Sequence, residues 1–420
     1  MKYNKMLLFS CCLFMIAGVC QSQTIDIDEA ISIALEKNPE IGKARGLLNA
    51  ARAKRWGAVS PENPHIFLEY EGIPQNSSGL SDYEGRKYGI SQEIAFPLAY
   101  YQRDRIQSSR SEQVRSEFFY MRNDIFYRVK STFYRVLLLQ EKQRLYLTMQ
   151  DLTRKLYRKA QVKVQAGEAP AYEALKVKVD LAEIENQVLR IDKELENARL
   201  AFALLLGEQE ADRYQLVGVL EYEPINISTD SLKSLMLAHH PQLAAATAFE
   251  KMKRTQRSLA WINELLPGFE VRYFRQKHPG ADMSRAWGGE IGVSIPLWFG
   301  LKGQARLRSA AHELYSAEQS SLSQKNKLIE EMHQAYSRLI VAEKQVLNYR
   351  ENILTEVEEL VRIATRSYEE GEMGYLEVTE ALRTLNRARI GYAETLFEYL
   401  HAKAELERVT GHYSFERKSG

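Results

Sequence analysis

Hydrophobic and polar positions follow two spacings along this chain, and the two alternate in blocks. The first block opens with Asp26-Ile27-Asp28-Glu29, an acid at the cap with Glu three residues later, which is a helix start signature. Helical spacing runs to about Val59, interrupted at Asn38-Pro39, and Pro61 and Pro64 stop it. Over 64–72 the period becomes two, with Ile66, Leu68 and Tyr70 on one face and Glu69 and Glu71 on the other. A loop with Gly72, Pro74, Asn76, Ser77, Ser78 and Gly79 follows. The return run, 86–96, places Tyr88, Ile90, Gln92, Ile94 and Phe96 opposite Lys87, Gly89, Ser91, Glu93 and Ala95. Pro97 suits the first turn of a helix that meets no breaker until Gly167. Roughly 69 residues at ~1.5 Å each make a rod on the order of 100 Å. Another helix is predicted from about Pro170 to Leu206.

The order then repeats. A helix is predicted from about Thr229 to Leu266, a strand over 267–276, a loop across Pro279-Gly280 and a strand over 286–297. Helices from about Leu301 to Glu370 and from Tyr375 to Thr410 complete the half. Individual residues repeat as well. Asn38-Pro39-Glu40-Ile41 corresponds to His240-Pro241-Gln242-Leu243, and Gly89-Ile90-Ser91 to Gly292-Val293-Ser294. Phe96 corresponds to Phe299, Gly167-Glu168 to Gly371-Glu372, Glu173 to Glu377, and Gly207 to Gly411. Ordered pairs with a nearly constant offset indicate a duplicated unit. The expected division is 23–206 and 228–411 for the two repeats, 207–227 for the linker between them and 412–420 for a tail.

The long helices carry apolar steps of three and four. Leu328, Met332, Ala335, Leu339, Ala342, Val346, Tyr349 and Ile353 form one seam. Val114, Phe118, Met121, Ile125, Val129, Thr132, Val136 and Leu139 form the other. Such seams pack antiparallel helices, and alone they would fit a soluble coiled-coil bundle. The strands argue otherwise. Four segments of roughly 9–11 residues have the length of a transmembrane β-strand, with one face apolar and the other charged or small. Each hairpin sits between the ends of very long helices, where no other bulk could cover the apolar face. Lipid on that face and water on the other is the expected arrangement. Four strands cannot close a barrel, and open edges are not tolerated in lipid, so several chains must pool their strands. The expected fold is mainly α with a small membrane β part.

Composition narrows the function. Lys+Arg number 57 and Asp+Glu 55, a balance that argues against a nucleic-acid partner. Residues 1–22 read as a secretory signal, with Lys2 and Lys5 ahead of the apolar run ending at Val19. Cleavage after Ser22 and lipidation at Cys20 both fit, although Val19 suits a lipidation site poorly. All three cysteines (Cys11, Cys12, Cys20) lie in this segment, which excludes a disulfide framework and Cys-ligated zinc. No P-loop and no His-Glu-x-x-His motif is present. The eight histidines are scattered, and His239-His240 are read as facing different sides of one helix. No enzyme activity, cofactor or metal site is expected.

With these residues in place, the chain resembles the TolC family of outer-membrane efflux proteins. The resemblance rests on Ile27-Asp28-Glu29-Ala30-Ile31, Ala34-Leu35 and Asn38-Pro39-Glu40-Ile41 at the start. Later it rests on Tyr368-Glu369-Glu370-Gly371-Glu372 and on the closing stretch Tyr392–Leu396, Tyr399–Leu406 and Gly411. Gly-Ile-Ser-Gln-Glu-Ile and the short tail are similar to the CzcC/CusC-like branch. The resemblance implies a homotrimer with a 12-stranded β-barrel over an α-helical tunnel. It implies a passive duct docked on a periplasmic adaptor (membrane fusion protein) and an inner-membrane pump of the resistance-nodulation-division type. Ducts for type I protein secretion share this fold, and a periplasmic coiled-coil scaffold without a pore is a third reading.

Candidate site residues gather at the helix turns. Gly167 and Gly371 break the rods, and Gly167, Glu168, Gly371 and Glu372 are expected at adaptor-contacting tips. Glu377 and Glu380, at i and i+3, match the family's acidic pair at the periplasmic constriction, where threefold rings of carboxylates would attract cations. A solvated helix face would look the same. Glu173 and Tyr368 match family residues that hold the tips closed by hydrogen bonds, but Met373 stands where the resemblance implies a basic partner. Tyr70, Tyr88, Phe96, Tyr273, Trp287, Trp298 and Phe299 are candidates for an interfacial belt, ordinary packing being the alternative for the last two and Phe96.

Overall fold

The structure is a computed structural model describing residues 23–76, 83–225, 227–277, 286–295, 297, 299–370 and 372–411. The expected signal segment, the tail 412–420, the loop positions Ser77–Gly79 and Pro279-Gly280, Trp298 and Gly371 lie outside the described residues.

The first half begins with strand β1 (Gln23–Ile25), then helices α1 (Ile27–Lys37) and α2 (Pro39–Gly57). Asp26 caps α1 by accepting from the Glu29 amide at 2.8 Å. Pro39 cannot donate a backbone hydrogen bond and disfavours helical geometry in the residue before it, so the chain breaks at Asn38. The Asn38 side chain then accepts from the Glu40 amide at 2.8 Å. Strands β2 (His65–Glu71) and β3 (Gly85–Ile94) form a hairpin, followed by α3 (Pro97–Gln165) and α4 (Ala171–Leu205). The α3 rod has 69 residues, as its breaker-free sequence predicts.

The linker expected over 207–227 is not structureless. It holds a short 3₁₀ turn (Ala211–Arg213) and β4 (Tyr214–Leu216), which pairs in parallel with β1. Three-residue strands paired across half the chain leave no periodic signal.

The second half repeats the order with two corrections. The single helix expected from Thr229 to Leu266 is α5 (Thr229–His239) and α6 (Pro241–Leu265). Pro241 imposes the break that Pro39 imposes in the first half, and His240 sits at the break, buried, with His239 exposed beside it. The two histidines therefore do not share one helix. After β5 (Gly268–Lys277) and β6 (Ala286–Ser294), the rod expected from Leu301 to Glu370 is α7 (Gln304–Asn348) and α8 (Leu354–Glu369). A π-type turn at Tyr349–Ile353 joins them. The Tyr349 ring lies against Gly391 of α9 (Tyr375–Thr410), filling the space a Cβ there would need. A bulky ring wedged between closely packed helices is a site where the hydrogen-bond ladder widens.

Both predicted seams face the cores, with Phe118, Met121, Thr132, Tyr349 and Ile353 only partly buried. Leu328, Met332, Ala335, Leu339 and Val346 are at most 2% exposed and pack with α5 and α9. Ile125, Val129, Val136 and Leu139 form the matching core with α1, α4, β1 and β4. Tyr134 and Leu220 touch both cores. Between the halves, Lys130 of α3 donates to Glu407 of α9 at 3.0 Å, with both side chains buried.

Candidate functional site

The four long strands form one antiparallel sheet in the order β2-β3-β5-β6. Its register puts Ile66, Ile90, Tyr273 and Gly289 in one row and Leu68, Tyr88, Arg275 and Trp287 in the next. Side chains alternate faces along a strand, so one face collects Ile66, Leu68, Tyr88, Ile90, Val271, Tyr273, Trp287, Ile291 and Val293. Ile66 is 88% exposed, Ile291 77% and Trp287 76%. The other face collects Glu69, Glu71, Lys87, Glu93, Glu270, Arg272 and Glu290. Arg272 pairs there with Glu270 at 2.8 Å and Glu290 at 3.9 Å, and Lys87 pairs with Glu71. Glu93 stands directly opposite Glu270, a like-charge pairing that only a hydrated face tolerates. Among the described residues, β2 and β6 each have one edge without a strand partner. An uncovered apolar face on an open-edged sheet is an assembly surface rather than a finished one.

The helix turns make the second candidate region. Gly167 has φ +76°, a left-handed conformation that side chains resist. It allows the Gly167 amide to donate to Val164 O and the Glu168 amide to Lys163 O, satisfying the last carbonyls of α3. The turn after α8 makes the matching bond from the Glu372 amide to Ser367 O. Glu168 and Glu372 are exposed.

Between the two turns, Tyr368 packs on both Ala160–Val177–Tyr375 and Ala364–Val378–Ala381. Its hydroxyl accepts from Lys163 Nζ at 3.1 Å, and the ammonium lies 5.0 Å from the ring centre. The bond to Tyr368 is the largest cause raising the Lys163 ammonium above its ordinary value, with Glu168 and Glu173 adding a smaller attraction. Glu173 and Tyr368 are not bonded to each other among the described residues. The basic group that meets Tyr368 is therefore Lys163 of the other hairpin, not a residue at position 373. Its signal was a lysine one turn before Gly167, on the face that meets the second turn.

Glu377 and Glu380 are exposed on α9, while Tyr375, Val378, Thr379 and Ala381 face the packing. The Glu377 carboxylate folds back over Gly374 at the helix start, where the helix dipole favours an anion. Glu380 is 3.8 Å from Arg383, which also pairs with Asp180 of α4. Asp180 is buried, and its Oδ2 has no hydrogen-bond partner. Sequence reading missed this Arg383–Asp180 pair, although Arg383 stands at i+3 from Glu380. Among the described residues, no group of three or more His, Cys, Asp or Glu is placed to hold a metal ion. No helix among them is long and apolar enough to cross a membrane.

Known proteins give this geometry its context. The profile of the family described as "Outer membrane efflux protein" matches residues 30–208 and again 232–412. The chain is 27% identical over 278 residues to the cobalt-zinc-cadmium resistance protein CzcC of Cupriavidus metallidurans. That match covers 66% of this chain, and the chain spans only 65% of the CzcC length. The fold is similar to that of the outer-membrane channel OprN, with TM-score 0.78 at 17% identity over 92% of this chain and 90% of that one. It is also similar to that of CusC, with TM-score 0.77 at 15% identity over 96% of each chain. With both halves matched, the chain belongs to the outer membrane efflux protein family.

Proposed function

We propose that this protein is the outer-membrane duct of a tripartite efflux system. Three copies pool their four strands into a 12-stranded barrel, apolar face to lipid and charged face to water. The long helices of the three duplicated chains continue as a tunnel through the periplasm, reached after export by the leader at 1–22. The observation that carries the reading is the two-faced, open-edged sheet placed at one end of a 69-residue helix. Lipid tolerates a sheet only as a closed barrel, so such a sheet functions only when neighbours complete it.

The duct is passive and is not an enzyme. An inner-membrane pump of the resistance-nodulation-division type supplies energy, and a periplasmic adaptor docks on the turns at Gly167-Glu168 and Gly371-Glu372. Divalent metal cations are the favoured cargo, because the CzcC relative is a cobalt-zinc-cadmium resistance protein; drugs are the other candidate. Glu377 and Glu380 form carboxylate rings at the constriction. Arg383 offsets part of the Glu380 charge, so Glu377 carries most of the attraction for cations. Lys163, Tyr368 and Glu173 hold the tips together.

Single-channel recording of the purified protein in a planar bilayer tests this reading. Discrete, cation-selective openings are expected, with selectivity reduced in Glu377→Gln/Glu380→Gln. Unchanged selectivity removes the ring assignment. Absence of openings even in the tip variant Lys163→Met/Tyr368→Phe removes the duct.

A further inference from the structure

The outward face of the sheet is not apolar throughout. Its far end, away from the helices, carries three cations. Arg86 and Lys277 are paired directly across β3 and β5, and Arg275 stands opposite Tyr88 and Trp287 in the adjacent row. The strand register puts all three on the face of Ile90 and Val271. The acids of the four strands (Glu69, Glu71, Glu93, Glu270, Glu290) all fall on the opposite face, one residue out of phase with the cations. Glu84, just before β3, folds its carboxylate over Gly72. Among the described residues none of the three cations enters an ion pair. Arg275 and Lys277 are exposed.

The surroundings suit a charged group anchored in an apolar layer. The Arg275 guanidinium sits beside the Tyr88 and Tyr273 hydroxyls. Tyr273 stacks on Trp287 with ring centres 6.3 Å apart. Arg86 lies 6.0 Å from the Tyr83 ring centre, and its Nε has no hydrogen-bond partner. Amphipathic aromatic rings mark the level where head groups meet acyl chains, and guanidinium groups match phosphate oxygens bidentately. Three cations with no carboxylate paired to them among the described residues, in an aromatic collar above an apolar band, complement one occupant: a phosphorylated lipid whose acyl chains lie along the strands.

We propose that Arg86, Arg275 and Lys277 form a binding site for the phosphorylated head group of an outer-leaflet lipid. The site rests on the membrane reading of the sheet given above. It ties the barrel wall to anionic lipid while the charged inner face stays free for cargo.

Purified full-length protein is titrated in mild detergent with diphosphoryl lipid A and with the same lipid stripped of its phosphates, bound lipid being counted by native mass spectrometry. One basic residue near an anionic head group contributes roughly fivefold in affinity, so Arg86→Gln/Arg275→Gln/Lys277→Gln is expected to weaken binding on the order of 100-fold. Dephosphorylated lipid is expected to bind wild type no better than it binds the variant. The single exposed change Lys277→Gln, about fivefold weaker, carries the test if the triple variant does not assemble. Equal affinity of wild type and variants, equal affinity for both lipids, or displacement by inorganic phosphate at the lipid's own potency overturns the proposal. Flotation of the same preparations with phosphatidylcholine vesicles separates the two readings. Failure to float removes the membrane assignment itself, whereas flotation without phosphate discrimination removes the lipid site alone.

Discussion

Asn38 and His240 hold the same place in the two halves, and they solve one problem with different chemistry. Each precedes the proline that opens a helix, and each side chain accepts from the amide two residues on, at 2.8 Å for Asn38 and 3.2 Å for His240. Each joint also packs beside a glycine with positive φ at the end of its half, Gly207 beside Lys37 and Gly411 beside His239 and His240. Asn38 makes a further bond, donating to Leu205 O at 2.8 Å. His240 is titratable. Burial, and to a lesser degree the charge of Arg408, lowers it from 6.5 to about 4. The cap of the first joint therefore does not titrate, whereas that of the second does. The geometry of a helix–proline–helix joint constrains the capping acceptor, not its titration.

The largest expected effect concerns what binds the halves together. Lys130 and Glu407 are 7% and 1% exposed at their side chains. Removing one partner of a buried pair costs about 4 kcal/mol, so Lys130→Met is expected to lower the unfolding midpoint steeply in denaturant titrations. Adding Glu407→Leu is expected to restore much of the loss, because the surviving carboxylate is then gone. If Lys130→Met alone is neutral, apolar packing holds the halves and the ion pair is incidental.

Next comes the acid-labile joint. The His240 pKa is lower folded than unfolded, so the unfolded chain binds the extra proton first as pH falls. Stability is whole above about 6.5 and is lost progressively toward about 4, by up to about 3 kcal/mol. His240→Asn copies the first joint. Its thermal midpoint is expected to match wild type near pH 7.5 and exceed it near pH 5. Parallel pH profiles for the two proteins would mean that His240 is not what distinguishes the joints.

Local patterning made most of the fold legible. The 69 residues between Pro97 and Gln165 contain no breaker, and period-two runs placed all four long strands within a few residues. The split at Pro241 obeys the rule that breaks the chain at Pro39, but His240, unlike Asn38, is not among the residue types that mark a helix start. The β1–β4 ladder and the π-type turn at Tyr349 depend on contacts distant in sequence, with Tyr214 and Gly391 respectively. The candidate site divides the same way. Gly167 and the acids of α9 announced themselves by type and spacing. Lys163 and Asp180 did not, because each acquires its role only when a second hairpin delivers Tyr368 or Arg383 to it.

The terminal glycines give the third contrast. A Cβ at Gly207 would lie 2.9 Å from Lys37 O, whereas at Gly411 its nearest neighbour is His240 Cα at 3.3 Å. Left-handed φ costs a side chain about 1 kcal/mol at either position. Gly207→Ala is therefore expected to lose about 2 kcal/mol, Gly411→Ala about 1 kcal/mol, in the same melts. Equal losses would mean that the first joint relaxes as readily as the second.

The smallest energy and the most direct functional effect belong to the tips. Counted from the two turn glycines, Lys163 corresponds to Ser367 and Val164 to Tyr368, so each half contributes one member of the contact and neither contributes both. Tyr368→Phe keeps the ring packed on both small clusters and removes the acceptor alone. A hydrogen bond from an exposed ammonium is worth below about 1 kcal/mol, so the melting midpoint is expected to stay put. If this bond holds the two hairpins together at the tip, its loss raises the frequency of openings in bilayer recordings, and Lys163→Met does the same by removing the donor. The two changes combined are expected to do no more than either alone, since both break one bond. Additive effects would show that Lys163 and the Tyr368 hydroxyl act on the opening through separate partners, and the bond between them would lose its part in closing the tip.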